Sequence, residues 1–254
     1  MIGIGGIDRA MRLLIKEPDK TAAETCSCGA DVAQCPYWGV VLKALERRKP
    51  SNLTQRYQVA LNVFERVYGP DVWPVDASKI HEPLLELAAR ELLALDLRVL
   101  HLTKDYRSAV VSMIDVKRRK KGRTRPAAML AVEGAFRWWR ENRKIEAAIH
   151  QAGVPSLNIG YEELCLGFDQ TFRAIRDFAG VEPDEELSLK IGAKPSHLFI
   201  GNRMRRQEEK STLTYDYRWL TRSEWFAPSL LLPMVHARNR QWVYSRGGIK
   251  PFTR

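Results

Sequence analysis

Nothing in the 254 residues runs apolar for the roughly 20 positions that a bilayer-crossing helix needs. The opening 15 residues lack an unbroken apolar stretch too, because Asp8, Arg9 and Arg12 interrupt it, so no secretory signal is expected. A cytoplasmic protein without a transmembrane segment is the expectation. There is no internal repeat and no long low-complexity stretch. Helix-turn-helix, zinc-finger and RNA-binding signatures are also missing, which argues against specific nucleic-acid recognition. The four cysteines lack metal-finger spacing: Cys26, Cys28 and Cys35 form C-x-C-x6-C, whereas zinc sites usually open with ligands two to four residues apart. Cys165 is far away in sequence. A packed loop is the first reading of this segment, a Cys26/Cys28–Cys35 disulfide the second, and zinc the last, so no metal is expected.

What is present suits one globular domain. The composition is 45% hydrophobic and 28% charged, enough to build a sizeable core. The formal charge is +11, and seven of the positives lie within nine residues, at Lys117, Arg118, Arg119, Lys120, Lys121, Arg123 and Arg125. Such a run attracts nucleotides, acidic glycans, acidic membranes or nucleic acid, or is simply a solvated turn between helices.

Apolar spacing predicts a helix over 7–16, stopped by Pro18, and further helices over 37–48 and 57–68. A short strand is expected over 73–78 and a mostly buried helix from Pro83. Residues 97–102 are nearly continuously apolar, as in a strand covered on both faces by helices. Helices are then expected over 107–116, 126–152 and 168–179, a strand over 157–161, and a closing helix over 223–244. The alternation predicts a layered α/β domain with a mostly parallel sheet.

Three strands end in polar groups, where parallel α/β folds gather ligands. They are Asp76-Ala77-Ser78-Lys79, His101-Leu102-Thr103-Lys104-Asp105-Tyr106-Arg107 with Ser112 following, and Tyr161-Glu162-Glu163-Leu164. Together with Cys26-Ser27-Cys28-Gly29 … Cys35-Pro36-Tyr37-Trp38 and His197 … Gly201-Asn202-Arg203-Met204-Arg205, these landmarks resemble, in order, those of bacterial-type sulfotransferases. That family moves a sulfonate from 3′-phosphoadenosine-5′-phosphosulfate (PAPS) to an acceptor.

The resemblance implies a P-loop-like three-layer domain, residues 1–254, with an N-terminal helix and cysteine loop over 1–56 and the remaining α/β core over 57–254. It implies PAPS as donor, its desulfated product (PAP), and a small molecule, lipid or glycan as acceptor. Lys104 and Ser112 would hold the 3′-phosphate, Tyr161 would contact the adenosine, and Arg203 and Arg205 would close over phosphate. Lys79 would stabilise the charge that spreads over the transferring group; a pair with Asp76 or Glu82 is its structural alternative. Arg107 has Asp105 and Asp115 as candidate partners. The family's G-x-P-R-S-G-T-T-like donor loop has no counterpart, and Gly5-Gly6 stands where a G-E pair is usual. His81 is either a substitute base or a helix-start residue. Two expectations follow: a sulfotransferase impaired by shortening at its start, or a non-catalytic nucleotide- or polyanion-binding protein of the same fold.

Overall fold

The computed structural model describes residues 1–78, 82–89, 97–121, 125–181, 196–200 and 213–244. Among them the chain is mixed α/β, with helices and two two-stranded parallel sheets. It divides into two compact units, Met1–Leu93 with Leu187–Thr212, and Ala94–Glu186 with Leu213–Arg254.

In the first unit, β1 (Ile2–Gly5) pairs in parallel with β2 (Pro74–Asp76). Parallel strands need a crossover, supplied here by α1 (Ile7–Lys16), α2 (Pro18–Ala22), α3 (Trp38–Arg48) and α4 (Leu53–Tyr68). Ile7, Met11 and Leu14 recur at helical spacing and are buried, which fixes the inward face of α1. Pro18 ends α1 and opens α2, a position where its missing N–H costs nothing. α4 begins four residues earlier than its apolar period suggests because Asn52 caps it, its side chain accepting from the Gln55 N–H at 2.9 Å. The core gathers Ile4, Met11, Trp38, Val41, Val63 and Phe64. α5 (Glu82–Ala89) follows β2.

In the second unit, β3 (Val99–Thr103) and β4 (Ser156–Gly160) pair in parallel over five residues. α6 (Tyr106–Lys121) and α7 (Ala127–Ala152) connect them, packing through Val110, Ile114, Leu130 and Ala135. α8 (Tyr161–Leu166) starts directly on β4, and α9 (Phe168–Ala179) follows. A 3-10 turn over Tyr217–Thr221 leads to α10 (Phe226–Leu231) and α11 (Pro233–Val243).

Four expectations are corrected. β3 is not covered on both faces: Leu100 and Leu102 are 41% and 54% exposed, while the polar His101 and Thr103 face inward onto Asn142. Residues 117–121 are not a turn but the end of α6, since Lys and Arg are good helix formers. The closing helix is broken, because Pro233 cannot continue a helix and instead opens α11. The strand expected to reach Tyr161 stops at Gly160, where a Cβ would lie 1.9 Å from the Val243 carbonyl oxygen; only glycine lets the end of α11 approach β4 so closely.

Candidate functional site

β3 ends at Thr103, so Lys104 is the first side chain to leave the sheet, beside the end of its partner β4. The Trp138 indole N–H donates to the Lys104 carbonyl at 2.9 Å and fixes this backbone. The ammonium lies 2.6 Å from Asp216 Oδ2 and 5.4 Å from the centroid of the Tyr161 ring. Tyr161, at the start of α8, donates its hydroxyl to the Thr214 carbonyl at 2.8 Å. Ser108 donates to the Asp216 carbonyl at 3.0 Å. Ser112 lies one turn further along α6, half-buried and on the same side as Ser108. A cation, hydroxyl groups and an aromatic face thus converge on residues 214–216, an arrangement suited to an oxyanion. Its acceptor here is Asp216, whose carboxyl is held well below the usual carboxylate range by hydrogen bonds from Arg218 and, against burial, by Lys104.

Beneath this surface lie two fully buried carboxylates. Asp105 accepts from the Arg107 side chain at 2.6 Å, the Tyr244 hydroxyl at 2.7 Å and the Asn239 amide at 2.9 Å. Burial alone would raise its pKa, but these donors hold it below the ordinary value. Arg107 is stacked 3.7 Å from the centre of the Trp219 ring, so Asp105 is its partner; Asp115 pairs with Arg218 and Arg222 at 3.2 and 3.3 Å. Glu162 accepts from the Asp105 N–H at 3.0 Å, while its second oxygen has no hydrogen-bond partner among the described residues. Burial pushes its pKa up, and the nearby Asp105 adds to that.

The sequence-derived positions therefore meet in part. Lys104 and Tyr161 come together, and Ser112 lies on the helix that follows Lys104. Lys79, His81, Arg203 and Arg205 lie outside the described residues. Asp76 closes β2, accepting from the Ile7 N–H, the Tyr57 hydroxyl and Ser78 at 3.2, 2.7 and 2.8 Å. Ser108 and Asp216 were not foreseen; Ser108 was readable as the residue one turn before Ser112, but no local signal marks Asp216.

A second cluster occupies the first unit. Cys26, Cys28 and Cys35 meet His197, with all four ligand atoms within 4.8 Å of one another. The cysteines are free, and the 3.7 and 3.8 Å gaps from Cys35 to Cys26 and Cys28 are non-bonded, so the disulfide reading fails. The Cys35 thiol is held below its ordinary value by its contact with Cys26, against burial, with His197 and the Trp38 and Tyr37 N–H groups assisting. Three soft sulfurs and an imidazole could hold a metal ion, the chemistry that the C-x-C-x6-C spacing ranked last. No local pattern ties His197 to the cysteines, because its link to residues 26–35 crosses more than 160 positions of sequence. Comparison with known proteins finds no matching family model, curated protein or solved structure.

Proposed function

We propose that this chain is a PAPS-dependent sulfotransferase built on a P-loop-like three-layer α/β domain. The observation that supports it is the meeting of Lys104 and Tyr161 at the ends of adjacent parallel strands, with Ser108 and Ser112 one turn apart on the helix that follows. Phosphate would replace the Asp216 carboxylate on Lys104, with Ser112 as a hydroxyl donor and the Tyr161 ring against the adenosine. Lysine makes this a point-charge contact rather than the bidentate one an arginine would give. In this reading Lys79 stabilises the developing charge on the transferring sulfonate, and Arg203 and Arg205 contact phosphate. A small molecule, lipid or glycan hydroxyl or amine is the acceptor.

Two measurements test the proposal. PAP should raise the melting temperature by an amount that grows with the logarithm of its concentration above Kd, adenosine 5′-monophosphate should do far less, and Lys104→Ala should abolish the difference. Equal shifts from both nucleotides would remove the 3′-phosphate site. Transfer of label from PAPS to a mixed acceptor panel, lost in Lys79→Ala, tests the chemistry. PAP binding without any transfer would instead favour a non-catalytic nucleotide-binding protein.

A further inference from the structure

We infer that Cys26, Cys28, Cys35 and His197 form a structural zinc site. Around a tetrahedral zinc, bonds of about 2.3 Å to sulfur and about 2.0–2.1 Å to nitrogen place ligand atoms about 3.8 Å apart for sulfur pairs and about 3.5 Å apart for sulfur and nitrogen. The sulfur pairs Cys26–Cys35 and Cys28–Cys35 stand at 3.7 and 3.8 Å. His197 Nδ1 lies 3.2 Å from Cys35 Sγ and 4.0 Å from Cys26 Sγ, on either side of the ideal edge. Cys26, Cys35 and His197 are buried and Cys28 is exposed, so the site is closed by four protein ligands with one corner at the surface. A closed set of this kind is structural, whereas catalytic zinc keeps an open position. Soft thiolates with imidazole in tetrahedral array select zinc over harder ions.

The surroundings are those of a ligand set held in place. Tyr68 shares a hydrogen bond with His197 Nε2, which leaves Nδ1 turned toward the sulfurs. The Trp38 indole N–H donates to the His197 carbonyl at 2.6 Å, and the Trp38 backbone N–H donates to Cys35 Sγ at 3.4 Å. Ser27, between two ligands, binds both neighbours of His197: its hydroxyl donates to the Ser196 carbonyl at 2.7 Å, and its N–H donates to the Leu198 carbonyl at 2.8 Å. The narrow C-x-C pair is accommodated by a tight knuckle. The Gly29 N–H returns to the Cys26 carbonyl at 3.0 Å, and Gly29 takes a φ of 89°, a region open chiefly to glycine. His197 also donates its N–H to the Gly3 carbonyl of β1 at 2.7 Å. Zinc here would therefore fasten the loop before α3 to residues 196–200 and to the edge of β1. It is independent of whether the chain transfers sulfonate.

The test uses the full chain, produced without a histidine tag in zinc-supplemented medium. Elemental analysis should find about one zinc per chain, as one four-ligand site requires. Cobalt exchanged into the chain should show thiolate-to-metal charge transfer and the intense visible bands of a tetrahedral ion. Chelation should lower the melting temperature, with zinc restoring it. His197→Cys, which keeps four soft ligands, should retain zinc; His197→Ala should weaken retention at least about tenfold; Cys165→Ser should change nothing. The site is refuted if the wild-type chain, refolded with excess zinc, holds less than about a tenth of an ion per chain. Stoichiometric iron in place of zinc refutes it too, as does unchanged alkylation of the three thiols with and without zinc. The wild-type readings stand even if a variant fails to fold.

Discussion

Asp105 and Glu162 are neighbouring buried carboxylates with opposite tendencies, and the difference lies in their partners. Asp105 has a guanidinium, an amide and a phenol on its oxygens; Glu162 has one backbone N–H and an oxygen left over. The depressed Asp105 stabilises the fold fully above its unfolded pKa of about 3.9, and that contribution is lost as pH falls through its lower folded value. Glu162 behaves in reverse: with its folded pKa raised, stability falls as pH rises from about 4.3 through that folded value, then levels off. Glu162→Gln keeps an acceptor for the Asp105 N–H without a charge. It should therefore match the wild type near pH 4 and exceed it at pH 7, the gap opening as pH rises through the raised folded value. Asp105→Asn should lose about 3–5 kcal/mol at pH 7, because Arg107 is left in a half-buried site without its counter-charge, and less at acid pH. Urea midpoints across a pH series read both. A Glu162→Gln gain that is the same at every pH would mean that packing, not charge, sets its effect.

Elements were legible where punctuation flanks a clear period, and obscure where an element is short or charged. α9 falls on its expected bounds because Gly167 and Gly180 close both ends of an amphipathic stretch. α8 has six residues, too few to display a period, and its first residue continues the apolar pattern of the strand before it. At the end of α6 a dense run of charge, as common in solvated turns as in helices, masks the helix propensity of Lys and Arg. The same limits hold for the two clusters. Strand-end chemistry picked out Lys104 and Tyr161, whereas Asp216 and the ligand role of His197 depend on long-range folding that no local pattern encodes. The contact between β4 and α11 is equally invisible in sequence and can be tested directly. Gly160→Ala puts a methyl group where the Val243 carbonyl sits, so one strand end or the last helix must shift. A loss of about 1–3 kcal/mol is expected, the usual cost of overpacking, measurable as a lower urea midpoint with unchanged slope. A neutral substitution would show that the end of α11 moves aside freely.

On the scale of the whole molecule the excess of 41 basic over 30 acidic residues should produce weak, salt-sensitive attachment to any polyanion. How much of it the end of α6 carries depends on local pairing. Lys117 lies 3.2 Å from Glu133, which also meets Arg125 at 3.2 Å. Arg118 lies 3.6 Å from Glu224, whose closer partner is Arg222 at 2.6 Å. Arg119 is exposed and donates to the Asp115 carbonyl at 3.3 Å. Shared carboxylates thus blunt the field of the run without cancelling it, and the pairs themselves, being partly exposed, hold little stability. Replacing Lys117, Arg118 and Arg119 together by glutamine keeps strong helix formers at all three positions. The variant should fold, losing under about 1 kcal/mol for each surface pair removed. Its binding to random-sequence duplex DNA, used only as a polyanion, should weaken, and the slope against log salt should shrink by up to about 0.9 for each cation that had contacted a phosphate. An unchanged slope would place the attachment on the remaining basic surface and leave the end of α6 a purely structural segment.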